Sequence, residues 1–280
     1  MLFNPQTTLN CNGQILDLSE PIVMGILNVT PDSFYDGGKF SRVADSLAQT
    51  QKMLSEGAAI IDIGAASSRP GAKMLSADAE LELLMPTIEA IMAQYPDVIL
   101  SCDTYHSAVA KTVIEAGVRI INDISGGAID EKLWPTIAQY RVPYVLMHNR
   151  GTPENMQQNT DYEDVVKSVI EYFVIKIEQL RSLGINDIVL DIGFGFAKTL
   201  EQNYELLRQL HLFQMFELPI LAGISRKSMI YKLLNTTPQN ALNGTTVLNT
   251  VAIQKGASIL RVHDVREAVE TIQLLRLTAD

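Results

Sequence analysis

Short apolar runs alternate with helical patterns along most of the chain. Eight runs rich in β-branched residues are each followed by a segment with helical spacing, and they cover residues 22–27, 59–63, 98–102, 118–121, 143–147, 187–191, 219–223 and 257–262. The runs are continuously apolar rather than alternating, which is typical of parallel strands covered on both faces. The pattern therefore predicts an α/β protein with a parallel sheet.

The segments between the runs carry apolar residues three and four positions apart. Val43, Leu47 and Leu54 fall on one stripe in the first of them. The longest pattern covers residues 161–183, opens with acidic residues and closes before Gly184. An acidic start and a glycine just past the end are the signals of a complete helix.

Eight strand–helix units without a break in composition favour a single (β/α)8 TIM barrel, with residues 1–280 as one domain. Residues 1–20, with Asn12 and Gly13 between apolar segments, predict a short N-terminal hairpin that closes the bottom of the barrel. A doubly wound open sheet is the alternative, because it uses the same local alternation. The glycine fingerprint that such a sheet places after its first strand is missing here.

The composition bears on which partners the protein can bind and on where in the cell it is located. The formal net charge of −10 argues against nucleic acid as a partner, although a small anion in a local cationic pocket remains compatible with it. We expect no membrane span and no signal peptide, since no apolar stretch approaches about 18 residues and the N-terminus lacks a basic and an apolar region. The two cysteines, Cys11 and Cys102, fit a reducing environment, so a cytoplasmic location is predicted.

The residues at the predicted strand ends carry the candidate chemistry, because barrel enzymes place their active sites there. The eight ends carry Asn28, Asp62, Asp103, Asn122 with Asp123, His148, Asp191, the string Ser225–Ser228, and Arg261 with His263. Solvated loop starts would also be polar, which accounts for part of this pattern. Hydrogen-bonding groups directly against buried strands are costly when unpaired, so a polar ligand is the better explanation.

These groups divide by charge. Asp103, Asn122 and Asp191 offer acceptors and one amide, which suit a flat, nitrogen-rich heterocycle. The cationic set suits an anion, and it consists of Arg69, Lys227, Arg261 and His263. Phosphate sites recur after strands 7 and 8 of barrels. The sequence thus predicts a heterocycle joined to a phosphate or diphosphate.

Several loops add detail. Residues 28–40 and 64–75 are rich in turn-forming residues, and they are either lids that order on ligand binding or ordinary solvated loops. The string Gly193–Phe196 lacks the residues of a phosphate cradle, so we expect its glycines to permit close backbone approach and Phe194 or Phe196 to line a pocket. The histidines have no metal-ligand spacing, and no hydrolase nucleophile elbow is present.

The strings around these positions resemble the bacterial dihydropteroate synthase family. They are Asn28-Val-Thr-Pro-Asp-Ser-Phe, Ser67-Ser-Arg-Pro-Gly, Asp103-Thr-Tyr, Ile121-Asn-Asp, Leu146-Met-His, Asp191-x-Gly-Phe-Gly-Phe, Ser225-Arg-Lys-Ser and Arg261-Val-His-Asp. The resemblance runs from about residue 20 to 275 with the motifs in the family's order. It implies a TIM barrel, a homodimer, and the condensation of 6-hydroxymethyl-7,8-dihydropterin diphosphate with p-aminobenzoate, which gives 7,8-dihydropteroate and diphosphate in folate biosynthesis.

The resemblance also implies roles for individual residues. The pterin would be held by Asp103, Asn122, Asp191 and Lys227, with Arg261 over its ring and reaching the diphosphate together with His263. The p-aminobenzoate pocket would be shaped by Ser68, Arg69, Pro70, Phe196 and Ser225. Asn28 would ligate Mg²⁺ on the leaving diphosphate.

The chemistry agrees with these roles. An aryl amine is neutral at pH 7 and needs positioning rather than a strong base. Carbon–oxygen cleavage places negative charge on the diphosphate and positive character on the pterin methylene, so Lys227 and Arg261 would stabilise the first and Asp103 the second. No covalent nucleophile is expected.

Four residues depart from those usual in the family: Ala66, Ser68, His106 and Ile192. The first two bear on the p-aminobenzoate site and on sensitivity to sulfonamide analogues. Two rival functions remain: a methyltetrahydrofolate-type methyltransferase, which has no diphosphate to hold, and a non-catalytic pterin-binding homologue.

Overall fold

The computed structural model of the chain describes residues 6–29, 39–65, 74–152 and 154–278. The strands are β1 Thr8–Cys11, β2 Gln14–Asp17, β3 Ile22–Asn28, β4 Ile60–Gly64, β5 Ile99–Asp103, β6 Ile120–Asp123, β7 Tyr144–Met147, β8 Ile188–Asp191, β9 Ile220–Ala222 and β10 Ile259–Val262. The α-helices are α1 Lys39–Ser55, α2 Ala77–Gln94, α3 Ser107–Glu115, α4 Leu133–Tyr140, α5 Val165–Ser182, α6 Leu200–Arg208, α7 Ser228–Tyr231, α8 Leu242–Gln254 and α9 Val265–Arg276.

Strands β3 to β10 form a closed parallel barrel. The order is β10-β3-β4-β5-β6-β7-β8-β9, and β10 pairs with both β3 and β9. This confirms the predicted (β/α)8 barrel. The open-sheet alternative is wrong, because pairing of the last strand with the first leaves no sheet edge.

The predicted N-terminal hairpin is present as β1 and β2, paired antiparallel. Its turn places Asn12 at φ 53° and Gly13 at φ 89°, the left-handed conformation that this dipeptide tolerates best. Four of its residues pack against one apolar residue from each barrel strand; the whole cluster is Leu9, Cys11, Leu16, Leu18, Met24, Ile60, Ile99, Ile120, Val145, Val189, Leu221 and Ile259. The hairpin therefore closes the bottom of the barrel with an apolar plug.

The two-residue period of each strand determines which side chains enter the barrel. In β4, Ile60 belongs to the bottom plug, whereas Ile61 and Ile63 pack with the surrounding helices. Asp62, two residues after Ile60, shares its side and contacts Arg261 across the barrel. By the same period, the last inward-facing residue of several strands lies at the barrel mouth, and in these strands that residue is polar.

The helix termini follow the sequence signals. The Asp164 side chain accepts a hydrogen bond from the Lys167 backbone N at 2.9 Å, which caps α5, and Gly184 beyond its end has φ 82°. Among the described helices, none combines the length and apolar character that crossing a membrane requires.

Candidate active site

A buried carboxylate, Asp62 of β4, organises one side of the barrel mouth. Its oxygens accept hydrogen bonds from Arg261 Nε at 2.7 Å, Ser101 Oγ at 2.6 Å and Asn122 Nδ2 at 3.0 Å. The Asp62 side chain is fully buried. A buried carboxylate is tolerated only when it is paired and hydrogen-bonded, and this one is paired on three strands.

Arg261 of β10 is held by a second carboxylate, that of Asp103. Arg261 Nη2 lies 3.2 Å from Asp103 Oδ2. Burial raises the pKa of Asp103, an effect that Arg261 opposes and the carboxylate of Asp62 reinforces. The guanidinium is thus fixed between two acids at the centre of the mouth, with 17% of its side chain exposed.

Asp191 and Lys227 occupy the opposite side of the mouth. Asp191 Oδ1 accepts a hydrogen bond from the backbone N of Gly193 at 2.7 Å, and burial raises its pKa against the lowering effect of Lys227. Lys227 Nζ donates to the Phe194 carbonyl at 2.5 Å and lies 4.6 Å from the centre of the Phe196 ring. Burial lowers the pKa of Lys227 to about 8, with Asp191 opposing the shift.

These groups line one cleft at the top of the barrel. The lining residues are Asp103, Asn122, Ile124, Met147, Asp191, Phe196, Gly223, Lys227 and Arg261. Six of the nine are residues that the sequence singled out. The structure adds Ile124, Met147 and Gly223, which carry no polar group and gave no chemical signal in the sequence.

The turn after β8 explains the two glycines predicted to allow close approach. Gly193 and Gly195 have φ of 71° and 82°, and a Cβ on Gly193 would lie 2.0 Å from the His148 carbonyl oxygen. Of the two aromatic candidates, Phe196 lines the cleft and Phe194 is buried in the outer core. Beneath the turn lies Lys198, a buried side chain that the sequence analysis missed.

Ser225 and His263 form a pair beside the cleft. The Ser225 hydroxyl lies 3.0 Å from His263 Nδ1 and 3.2 Å from the His263 backbone N. Desolvation and the nearby cations, Arg261 first among them, lower the pKa of His263 below its ordinary value of 6.5. The neighbours of His263, which the sequence places in the cationic set, therefore disfavour a further positive charge on its ring.

The cation next to Ser225 in the sequence turns away from the cleft. Arg226, at φ 54°, makes a two-pronged ion pair with Asp264, with both N–O distances at 2.8 Å. It also donates to the carbonyls of Pro238 and Gln239. Of the basic residues in the string Ser225–Ser228, only Lys227 faces the cleft.

The remaining predicted positions divide between described and undescribed parts of the chain. Asn28 is exposed at the end of β3, opposite Gly64. Ser68, Arg69, Pro70 and Ala66 lie outside the described residues, as do most of the two loops considered as lids.

Three further residues do not enter the cleft. Asp123, next to Asn122, accepts a hydrogen bond from Tyr144 Oη at 2.6 Å on the outer side of the sheet. Ile192 is fully buried in the outer core, and His106 Nε2 lies 3.0 Å from the Leu75 carbonyl oxygen.

Comparison with known proteins identifies the family. The family described as pterin binding enzyme matches residues 24–263. Dihydropteroate synthase of Escherichia coli (strain K12) is 43% identical over 276 residues, which cover 96% of each chain. This chain belongs to the dihydropteroate synthase family.

Solved structures of the dihydropteroate synthase family match the barrel closely. The Yersinia pestis enzyme in complex with a sulfonamide drug has a TM-score of 0.90 at 44% identity, covering 97% of this chain and 98% of that one. The Xanthomonas albilineans enzyme with 4-aminobenzoic acid has a TM-score of 0.91 at 37% identity, with the same coverage. The family assignment therefore rests on both sequence and fold.

Proposed function

We propose that this protein is a transferase that condenses 6-hydroxymethyl-7,8-dihydropterin diphosphate with p-aminobenzoate to give 7,8-dihydropteroate and diphosphate. The observation that carries the proposal is one cleft in which Asp103, Asn122 and Asp191 lie with Lys227 and Arg261. The Xanthomonas albilineans enzyme, a relative with this fold, has been solved with 4-aminobenzoic acid and with 7,8-dihydropteroate.

The polar groups of the cleft suit a pterin ring. Asp191 keeps one oxygen on Gly193 N, so its other oxygen is available to a ring N–H or amino group. The Asn122 side chain is oriented by Asp62, because its Nδ2 donates a hydrogen bond to the Asp62 carboxylate. The amide oxygen of Asn122 is then left as an acceptor for the ligand. The apolar side chains of Ile124 and Met147 provide flat walls for a ring.

The two cations suit the leaving diphosphate. Lys227 and Arg261 lie in the same cleft as the pterin acceptors, so negative charge developing on the leaving oxygen would be stabilised by groups already in place. Asp103, beside Arg261, would stabilise positive character on the pterin methylene when ionised. Attack by the neutral amine then requires orientation, which we assign to Phe196 and Ser225 together with Ser68, Arg69 and Pro70.

The described residues fit a Mg²⁺ ion shared with substrate. They contain no group of three or more His, Cys, Asp or Glu side chains able to hold a metal, whereas Asn28 offers one exposed amide oxygen at the barrel mouth. Mg²⁺ is commonly bound through one or two protein oxygens plus substrate phosphates and water. When bound, it would neutralise charge on the diphosphate, with Asn28 as its protein ligand.

Domain organisation, oligomeric state and location complete the proposal. We infer one domain over residues 1–280, a homodimer, and a cytoplasmic location, the last supported by the two unpaired, buried cysteines Cys11 and Cys102. Binding of sulfonamides at the p-aminobenzoate site is expected, since the Yersinia pestis relative is solved with such a drug.

Release of diphosphate from the two substrates with Mg²⁺ tests the function. The wild type should release diphosphate in step with formation of dihydropteroate, and the double variant Lys227→Ala/Arg261→Ala should lose at least a hundredfold in turnover. The matched control, Lys132→Ala/Arg181→Ala, removes two exposed cations and should behave as the wild type. No diphosphate release, with methyl transfer to a cobalamin protein instead, would refute the proposal; normal turnover by the first double variant would refute the site.

A further inference from the structure

Lys198 lies buried directly beneath the turn that follows β8. Its Nζ donates to the carbonyls of Gly193 and Phe196, each at 2.9 Å, and lies 3.0 Å from His148 Nδ1. A fourth contact, to the His148 carbonyl oxygen, measures 3.4 Å. The ammonium form has three N–H donors, enough for the three shortest contacts, and the neutral amine has two, enough for the two carbonyls, with its lone pair free to accept from His148 Nδ1.

His148 can accept the third of these bonds. Its side chain is buried, and burial followed by the charge of Lys198 lowers its pKa well below the ordinary value, so the ring is neutral. With Nδ1 as the acceptor, the ring proton lies on Nε2. Lys198 therefore ties the end of β7 to the turn after β8 through bonds on both sides.

The tied turn presents the groups that face the ligand. The Phe194 carbonyl accepts the hydrogen bond of Lys227 Nζ, and the Phe196 ring forms part of the cleft wall 4.6 Å from that same Nζ. Gly193 also donates to Asp191. One short turn thus fixes a cation, an aromatic wall and a carboxylate, and its first and last carbonyls are held by Lys198.

The hydrogen-bond acceptors of the turn explain a lysine at this position. Only 3% of its surface is exposed, and moving an ammonium group out of water is costly even when it is paired. An apolar side chain of the same length would fill the space without that cost, but the Phe196 carbonyl would lose its Lys198 donor and the Gly193 carbonyl would keep only the Phe196 backbone N, at 3.1 Å. What the lysine adds is the shape of the turn.

We propose that Lys198 is a positioning residue that holds the turn of residues 193–196 in the conformation required to bind the pterin and p-aminobenzoate. The kinetic part of this inference rests on the proposed function, whereas the binding part does not. Lys198 is not among the residues that line the cleft, so it would act through the turn rather than by contact with substrate.

The test compares Lys198→Met with the wild type in binding and in kinetics. Calorimetry with pteroic acid should show at least a tenfold weaker Kd, and the KM for p-aminobenzoate should rise by a similar factor, while kcat falls less than KM rises. The matched control is Lys176→Met, which removes a lysine on α5 that lies over the Trp134 ring, 4.7 Å from its centre. The control should bind pteroic acid within twofold of the wild type.

A second variant covers a failure of Lys198→Met to fold. Lys198→Gln keeps two N–H donors, so its Kd for pteroic acid should lie between those of the wild type and Lys198→Met. A folded Lys198→Met, or in its absence Lys198→Gln, with Kd and KM within twofold of the wild type would overturn the proposal, even if its melting temperature fell. A wild type that binds pteroic acid but releases no diphosphate would refute the proposed function and leave the binding comparison as the test of Lys198.

Discussion

Replacing Asp62 by asparagine is the sharpest test of how the barrel mouth is assembled. The substitution keeps the size of the side chain and removes its charge, while one acceptor oxygen becomes an NH₂ donor. Arg261 Nε and Asn122 Nδ2 both donate to one carboxylate oxygen, at 2.7 and 3.0 Å, and Ser101 Oγ donates to the other at 2.6 Å. The asparagine can keep its oxygen toward Arg261 and Asn122 with its NH₂ donating to the Ser101 hydroxyl, so the main loss is the negative charge that pairs with Arg261.

The expected loss in stability follows from this geometry. Removing one partner of a buried ion pair costs about 3 to 5 kcal/mol. Arg261 retains Asp103 at 3.2 Å and is partly exposed, so the lower end applies, about 3 kcal/mol of the free energy of unfolding. For a chain of 280 residues that corresponds to a fall in Tm of about 5 °C. Because Arg261 and Asn122 line the cleft, binding of pteroic acid should weaken by about tenfold, or 1.4 kcal/mol.

Urea unfolding followed by circular dichroism measures the stability change. Asp97→Asn, at an exposed carboxylate, is the control and should stay within about 0.5 kcal/mol of the wild type. The double variant Asp62→Asn/Arg261→Met should be less destabilised than the sum of the two single variants, since the Asp62–Arg261 pair is lost only once, whereas Asp103 loses Arg261 equally in Arg261→Met and in the double variant. A loss below about 1 kcal/mol in Asp62→Asn, or strict additivity in the double variant, would refute the reasoning.

Two further predictions concern the other side of the mouth. Asp191→Asn should weaken pteroic acid binding by about 2 kcal/mol, roughly thirtyfold, through loss of a charge-assisted hydrogen bond; calorimetry checks this, with Asp97→Asn as control, and an unchanged Kd would contradict it. Burial lowers the pKa of Lys198 from 10.5 to about 7, with Asp191 opposing the shift and Lys227 and Arg150 adding to it. The folded state therefore releases this proton before the unfolded state does, so between pH 7.5 and 8.5 the wild type should gain about 1 kcal/mol of unfolding free energy relative to Lys198→Met. Urea unfolding at both pH values checks it, and a difference between the two proteins that stays constant would count against the buried, shifted lysine.

The local pattern of apolar and polar residues was sufficient to predict the barrel and many of the residues at its mouth. Each predicted strand begins and ends within two residues of the observed one, because a parallel strand buried on both faces must be continuously apolar. Asn122 and Asp123 show where such patterns stop. Both follow the same apolar run, yet the period of the strand sends the first into the cleft and the second outward to Tyr144. Fixing that parity needed the first inward residue of β6, Ile120, which only the structure gives.

The residues that were missed act across the fold rather than along the chain. Asp62 was noted as a strand end, but its partners Ser101, Asn122 and Arg261 lie 39, 60 and 199 residues away. Lys198 lies two residues after the string Gly193–Phe196 and looks like an ordinary loop lysine. Its contact with His148 spans 50 residues, so no local signal distinguishes it from an exposed side chain.

The charge pattern of the mouth now has a structural explanation. An acidic chain with a net charge of −10 can hold a diphosphate because its cleft cations are already aligned by fixed acceptors: Arg261 by Asp62 and Asp103, and Lys227 by the Phe194 carbonyl. Such cations cannot fold back onto one another or turn outward before substrate arrives, so little reorganisation is needed when negative charge develops. The arrangement has a consequence for Asp103. The Asp103 carboxylate already accepts a hydrogen bond from Arg261, and its raised pKa limits the negative charge that it can place beside the pterin. Protonation of Asp103 would therefore weaken its interactions with Arg261 and with the pterin together. The positions of the acid and the cation are therefore one property of the site rather than two.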